Sequence, residues 1–92
     1  MPHRKSALKR LKQNEKRRLR NKAVKSRLRT EENKFQRLIE RGDLQAARQQ
    51  LSLLTKLLHR AASRNIIHPN KAARRQSRCE RMLNEAAART AG

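Results

Sequence analysis

Ninety-two residues, a net charge of +19 and a pI near 12.0 come with one phenylalanine and no tyrosine or tryptophan. A chain this short, with 35% apolar residues, excludes an extensive globular core and leaves room for one leucine- and alanine-based helical domain over 1–92. Its charge calls for an anionic polymer or surface as partner, with nucleic acid ahead of anionic lipid.

Met1-Pro2-His3 reads as an extended lead-in, because proline disfavours helix in the residue before it. Residues 4–29, RKSALKRLKQNEKRRLRNKAVKSRLR, hold thirteen Lys and Arg in 26 positions, with Glu15 the one acid. Their composition favours helix, starting at a Ser6 cap or nearer Arg4. No stop signal appears before Arg41-Gly42-Asp43, where Gly42 suits the left-handed residue after a helix. The predicted first helix, 4–41, is roughly 54 Å long counted from Ser6, at ~1.5 Å per residue. Helices average about 11–12 residues, so this one must leave its domain.

The apolar pattern says where it leaves. Val24, Leu28, Phe35, Leu38 and Ile39 share a face, but extending that stripe backwards meets Asn21 and Arg17. Leu8, Leu11 and Leu19 lie on roughly the opposite side. The helix should therefore dock from about Val24 and project before it. Like charges at i,i+4, among them Lys5/Lys9, Lys12/Lys16, Lys16/Arg20 and Lys25/Arg29, each destabilise the projecting half mildly. Free in solution it should be partly helical, becoming a full rod when phosphates close around it.

Asp43, the only Asp in the chain, is placed to cap a second helix over 43–62. Leu44, Ala47, Leu51, Leu54, Leu58 and Ala61 follow at spacings of 3, 4, 3, 4 and 3, the seam of a bundle helix. Leu53 and Leu57 widen that face toward two neighbours. The short Gly42-Asp43 turn predicts an antiparallel hairpin of the first two helices. Ile66 and Ile67 should plug the bundle end, and Pro69 suits the first turn of a third helix over 70–88, with His68 or Asn70 near its cap. Ala72, Cys79, Leu83 and Ala86 form its core side, and Lys71, Arg74, Arg75 and Arg78 a basic side. The tail Arg89-Thr90-Ala91-Gly92 should fray. The expected fold class is all-α, a three-helix bundle with a projecting N-terminal half of the first helix.

Catalysis finds little support. None of the seven acidic residues sits in an apolar context that would tune it for acid–base work. Adjacent Glu31 and Glu32 point about 100° apart on a helix and should pair with Arg27, Arg29 or Lys34. His3, His59 and His68 lack ligand spacing. Cys79 stands alone, which excludes an internal disulfide and a cysteine-based zinc site. It should pack as a small hydrophobe, although Arg75 and Arg78 nearby would favour a reactive thiolate. No enzyme, cofactor, metal or small-molecule substrate is expected, nor a homo-oligomer. No apolar run approaches the ~18–20 residues of a membrane span, and the charged N-terminus lacks a following apolar region, so neither membrane nor secretory targeting is expected. The expected compartment is the cytoplasm.

The cations remain. Single-strand binders stack bases on aromatic rings, and Phe35 is already assigned to the core stripe. Recognition should therefore run through phosphates and the shape of a folded target. Cations all around the first helix imply burial between several nucleic-acid segments rather than one duplex. The rivals are a histone-like DNA-compacting protein and a membrane-active basic helix. The latter is weakened by the thin apolar face of Leu8, Leu11 and Leu19.

KSALKRLKQNEKRRLRNKAVKSRLRT, the Gly42-Asp43 turn before an Ala/Leu helix, and Ile67-His68-Pro69-Asn70-Lys71-Ala72-Ala73-Arg74-Arg75 together resemble the bacterial small-subunit ribosomal protein family numbered twenty, in order and over nearly the whole chain. The resemblance implies a non-enzymatic protein on the cytoplasmic ribosome. It implies direct binding to small-subunit ribosomal RNA early in assembly, with other small-subunit proteins as neighbours. By matched position the RNA contacts would be Lys5, Ser6, Lys9, Arg10, Lys12, Asn14, Lys16, Arg17, Arg18, Arg20, Asn21, Lys22, Lys25, Ser26, Arg27 and Arg29. A second set would be His68, Asn70, Lys71, Arg74, Arg75 and Arg78. Glu31 and Glu32 are more acidic than that family's pattern, which implies fewer RNA contacts in the middle of the first helix.

Overall fold

The computed structural model describes residues 2–91, with side chains over 6–90. Three helices follow in order: α1, Pro2–Arg41; α2, Leu44–Ser63; and α3, Pro69–Ala91. The extended lead-in does not form. Proline at a first helical position lacks only an N–H that has no partner there, so α1 begins at Pro2. Ser6 accordingly lies inside the helix instead of capping it, and Met1 falls outside the described residues. The tail is likewise helical through Ala91, where fraying from Arg89 was expected; Gly92 falls outside the described residues.

Both connections are closed by the same device. Gly42 takes φ +77° after α1, where Gly42 N–H donates to the Ile39 carbonyl at 3.1 Å and Asp43 N–H to that of Leu38 at 3.0 Å. After α2, Asn65 takes φ 61°, donating to the Ala62 carbonyl at 3.0 Å while Ile66 donates to that of Ala61 at 2.9 Å. These paired bonds are Schellman motifs, which satisfy carbonyls a helix end would otherwise leave open. Asp43 then caps α2, accepting from Ala46 N–H at 3.3 Å. His68 caps α3: its Nδ1 accepts from Asn70 N–H at 3.1 Å, and its carbonyl from Lys71 and Ala72.

α2 is the middle layer, packed against α1 on one side and α3 on the other, while α1 and α3 meet only briefly. Leu28 and Phe35 of α1, Ala47, Leu54, Leu58 and Ala61 of α2, Ile67 of the connection, and Ala72, Cys79 and Leu83 of α3 make the buried core. Val24, Leu38, Ile39, Leu44, Leu51, Leu57, Ile66 and Met82 pack around it. The predicted seam is thus present. Leu53, expected to widen it, is 38% exposed and lies at its margin.

The seven-residue gap in the α1 stripe, between Leu28 and Phe35, is occupied by half-buried Glu31. Gln50 of α2 donates through Nε2 to the Glu31 carboxylate at 2.6 Å and to its backbone carbonyl at 3.0 Å. Glu31 therefore holds an α2 amide rather than the Arg27, Arg29 or Lys34 the sequence suggested. On the far side, His59 of α2 and Gln76 of α3 join at 2.8 Å, and Gln76 donates onward to Glu80 at 3.1 Å. A polar tie fastens α2 to each of its neighbours.

Candidate nucleic-acid interface

α1 is 40 residues long, roughly 60 Å at ~1.5 Å per residue, and the molecule measures 72 × 21 × 13 Å. α2 is half that length, so α1 outruns what it can dock against. Val24 is the first α1 side chain packed against the core, and every residue from Ser6 to Arg20 is exposed. Leu8, Leu11 and Leu19 are 59%, 64% and 57% exposed, so the arm's own leucines do not fold back onto the bundle.

At ~100° per residue, Lys9, Arg10, Lys12, Lys16, Arg17, Arg18, Arg20 and Lys22 surround the arm. Amide and hydroxyl groups of Asn14 and Ser6 stand among them, exposed. Where the arm enters the bundle, Asn21 is half-buried, and Lys22, Lys25, Ser26, Arg27 and Arg29 remain exposed. The Ser26 carbonyl takes a bond from the Thr30 hydroxyl at 3.0 Å. Lys5 lies outside the residues with described side chains.

The second predicted set is 30 or more residues away in sequence and on another helix. Asn70, Lys71, Arg74 and Arg78 are exposed on α3, and Arg75 is half-buried. His68 is exposed too, but its Nδ1 is committed to capping α3. A partner can use only the other ring nitrogen.

Sequence reasoning missed Arg60 and Arg64. They stand at the C-terminal end of α2 and share a cleft with Arg27, beside the point where the arm leaves the bundle. Their spacing of four was visible, but only the hairpin's geometry brings them to α1.

The acids and the thiol are structural. Glu31 faces α2 through Gln50, and the Glu32 carboxylate lies close enough to α3 to act on Cys79. Burial pushes the Cys79 thiol up from its ordinary 9.0 to about 11; Glu32 adds to the rise, and Arg78 and Arg75 oppose it. The two arginines do not overcome desolvation, so this thiol stays protonated near neutrality and behaves as a hydrophobe. Among the described residues, no cluster of three or more His, Cys, Asp or Glu could hold a metal ion, and no helix is long and apolar enough to cross a membrane.

Known proteins resemble this sequence over nearly its whole length. The sequence model of the family described as Ribosomal protein S20 matches residues 2–84. The chain is 49% identical over 88 residues to the small ribosomal subunit protein bS20 of Cutibacterium acnes, covering 96% of this chain and 100% of that one. It is 44% identical over 87 residues to bS20 of Rhodopirellula baltica (95% and 97% covered) and 40% identical over 86 residues to that of Aquifex aeolicus (94% and 92%). A family model over most of the chain and relatives up to 49% identical along nearly its full length agree: the chain belongs to the Ribosomal protein S20 family, a family of ribosomal structural proteins and not of enzymes.

Proposed function

We propose that the chain binds small-subunit ribosomal RNA directly and holds its fold during assembly. As a member of a ribosomal protein family its place is on the ribosome in the cytoplasm. The observation that carries the finer reading is the arm: exposed from Ser6 to Arg20, with cations on all sides and no core face. A helix lying on one duplex uses one basic face, whereas this one suits a crevice between RNA segments, each facing its own cations. The basic side of α3, from Lys71 to Arg78, supplies a second contact separated from the first by α2.

Phosphate contact carries little sequence information. Specificity then comes from the rigid spacing of the two surfaces, which the polar ties between helices maintain. Neutralising about six to ten phosphates would lower affinity ~10³–10⁵-fold between ~50 and ~200 mM salt.

A competition assay tests this reading. Labelled small-subunit ribosomal RNA bound to the full chain at ~200 mM salt is challenged with unlabelled ribosomal RNA, transfer RNA and duplex DNA. Displacement by ribosomal RNA alone at low competitor ratios is the expected result. Equal competition by all three would overturn the assignment in favour of a general polyanion binder.

A further inference from the structure

Where α1 leaves the bundle, Arg27 of α1, Arg60 of α2 and Arg64, the residue that caps α2, rim a cleft whose floor includes half-buried Val24, Leu57 and Ile66. No carboxylate is among its lining residues. Three guanidinium groups around one opening repel each other, and an arginine at a helix C-terminus ordinarily has a simple role, bonding the last carbonyls. Here three of those carbonyls are already served: Arg60 O accepts from Arg64 N–H, Ala61 O from Ile66 N–H, and Ala62 O from Asn65 N–H. The paired backbone bonds close the helix end without the arginine side chains.

An apolar floor beneath a cationic rim matches a ligand with a flat, uncharged body and an anionic edge. A nucleotide swung out of its stack has that form: its phosphate suits arginine forks, and its base can lie against aliphatic carbons or a guanidinium plane. We propose that this cleft takes one unstacked nucleotide of the bound RNA, its phosphate on Arg27, Arg60 and Arg64 and its base on the Val24–Leu57–Ile66 floor. The proposal rests on the RNA-binding reading above and adds a base-contacting site to surfaces that otherwise touch phosphate. It also fixes the axial position of the arm, because the cleft sits at the arm's root.

The test uses the full chain with ¹³C-labelled Ile, Leu and Val methyl groups, a fragment of small-subunit ribosomal RNA, and the R60Q/R64Q variant. The expected results are upfield ring-current shifts of the Val24, Leu57 and Ile66 methyls when RNA binds, and none with inorganic phosphate. The variant should lose those shifts and about tenfold in affinity, with a salt slope lower by about one to two. Wild-type binding without methyl shifts would overturn the nucleotide site while leaving the RNA reading intact, as would a variant that binds like wild type. Methyl shifts produced by a glutamate-rich peptide and not by RNA would assign the cleft to a protein partner and overturn it too. Failure of the wild-type chain to bind the RNA at all would instead overturn the underlying reading.

Discussion

Gln50 holds Glu31 twice, its amide reaching the carboxylate at 2.6 Å and the backbone carbonyl at 3.0 Å across the α1–α2 interface. The pair occupies the level between Leu28 and Phe35, where the apolar stripe of α1 would otherwise be broken. A leucine seam can slide by a turn and still bury leucine. A single polar pair cannot slide without leaving a half-buried carboxylate unmatched, so it selects one register. Gln50→Ala should cost ~1–2 kcal/mol in urea unfolding of the full chain, the range for bonds to a charged and partly solvated acceptor. Gln50→Glu should cost more, since it sets two carboxylates face to face. Equal stability of all three proteins would show that the apolar seam alone sets the register.

The seam itself makes a sharper claim about which leucines matter. Leu54 is 1% exposed and Leu53 is 38% exposed, although they are neighbours on the same helix. Leu54→Ala should destabilise by ~2–5 kcal/mol through lost contact and a residual cavity. Leu53→Ala, at the margin beside the Lys34 and Arg37 positions, should cost under about 1 kcal/mol. Similar losses at the two sites would mean that the faces of α2 are misassigned.

Cys79 gives the fold a pH dependence on the alkaline side. Its folded value of about 11 exceeds the ordinary 9.0, so between those limits the unfolded chain releases a proton that the folded chain keeps. Stability contributed by the buried thiol is therefore intact below pH ~9 and falls as pH rises toward ~11, by on the order of 2 kcal/mol. Cys79→Ala should flatten the wild-type curve relative to its own value at pH 8, as read by urea midpoints at each pH. Parallel curves for the two proteins would refute a buried, protonated thiol. A disulfide-exchange reagent should likewise label the unfolded chain well before the folded one.

Periodicity carried most of the fold. The 3-4 spacing of α2 marks its seam, and Gly42 and Pro69 mark a stop and a start, because each signal depends on residues close together in the chain. The cationic arm was legible for the same reason. What could not be read is what the hairpin assembles: Gln50 against Glu31, Arg60 and Arg64 beside Arg27, His59 against Gln76. Glu31 looked like a solvent acid with arginines at helical spacing around it, since nothing local shows that a glutamine from the next helix faces it. The lead-in at Pro2 was misjudged by a local conflict. Proline discourages helix before itself and favours it from itself onward, and the second effect decides where α1 begins.

Electrostatics within the arm can be followed without any partner. Like charges one turn apart oppose helix in the exposed segment before Val24, and no core contact offsets them there. Raising salt from ~10 mM to ~0.5 M shortens the screening length from about 30 Å to a few ångströms. Mean ellipticity at 222 nm should become more negative as the arm completes its helix, while the thermal midpoint of the bundle changes little. Ellipticity independent of salt would mean that the arm is already fully helical when free.

The arm's role in binding is separable from its role in the fold because its described side chains, from Ser6 to Arg20, are all exposed. Arg17, Arg18 and Arg20 are all exposed, Arg17 and Arg20 close to one face of α1 and Arg18 turned about 100° from Arg17. Replacing the three with Ala removes phosphate contacts and, if anything, eases the arm's self-repulsion, since alanine is the better helix former. Binding to small-subunit ribosomal RNA should therefore weaken, and the dependence of log affinity on log salt should flatten by up to about three. The urea midpoint should match wild type, and helix content should equal or exceed it. Replacing Lys71, Arg74 and Arg78 on α3 offers the contrast: the same kind of loss from a surface on the other side of α2, adding to the first in free energy if the two grip separate RNA segments. Retained affinity in the arm variant, with the α3 variant impaired, would move the main binding surface to α3 and leave the long helix without the function its charge suggests.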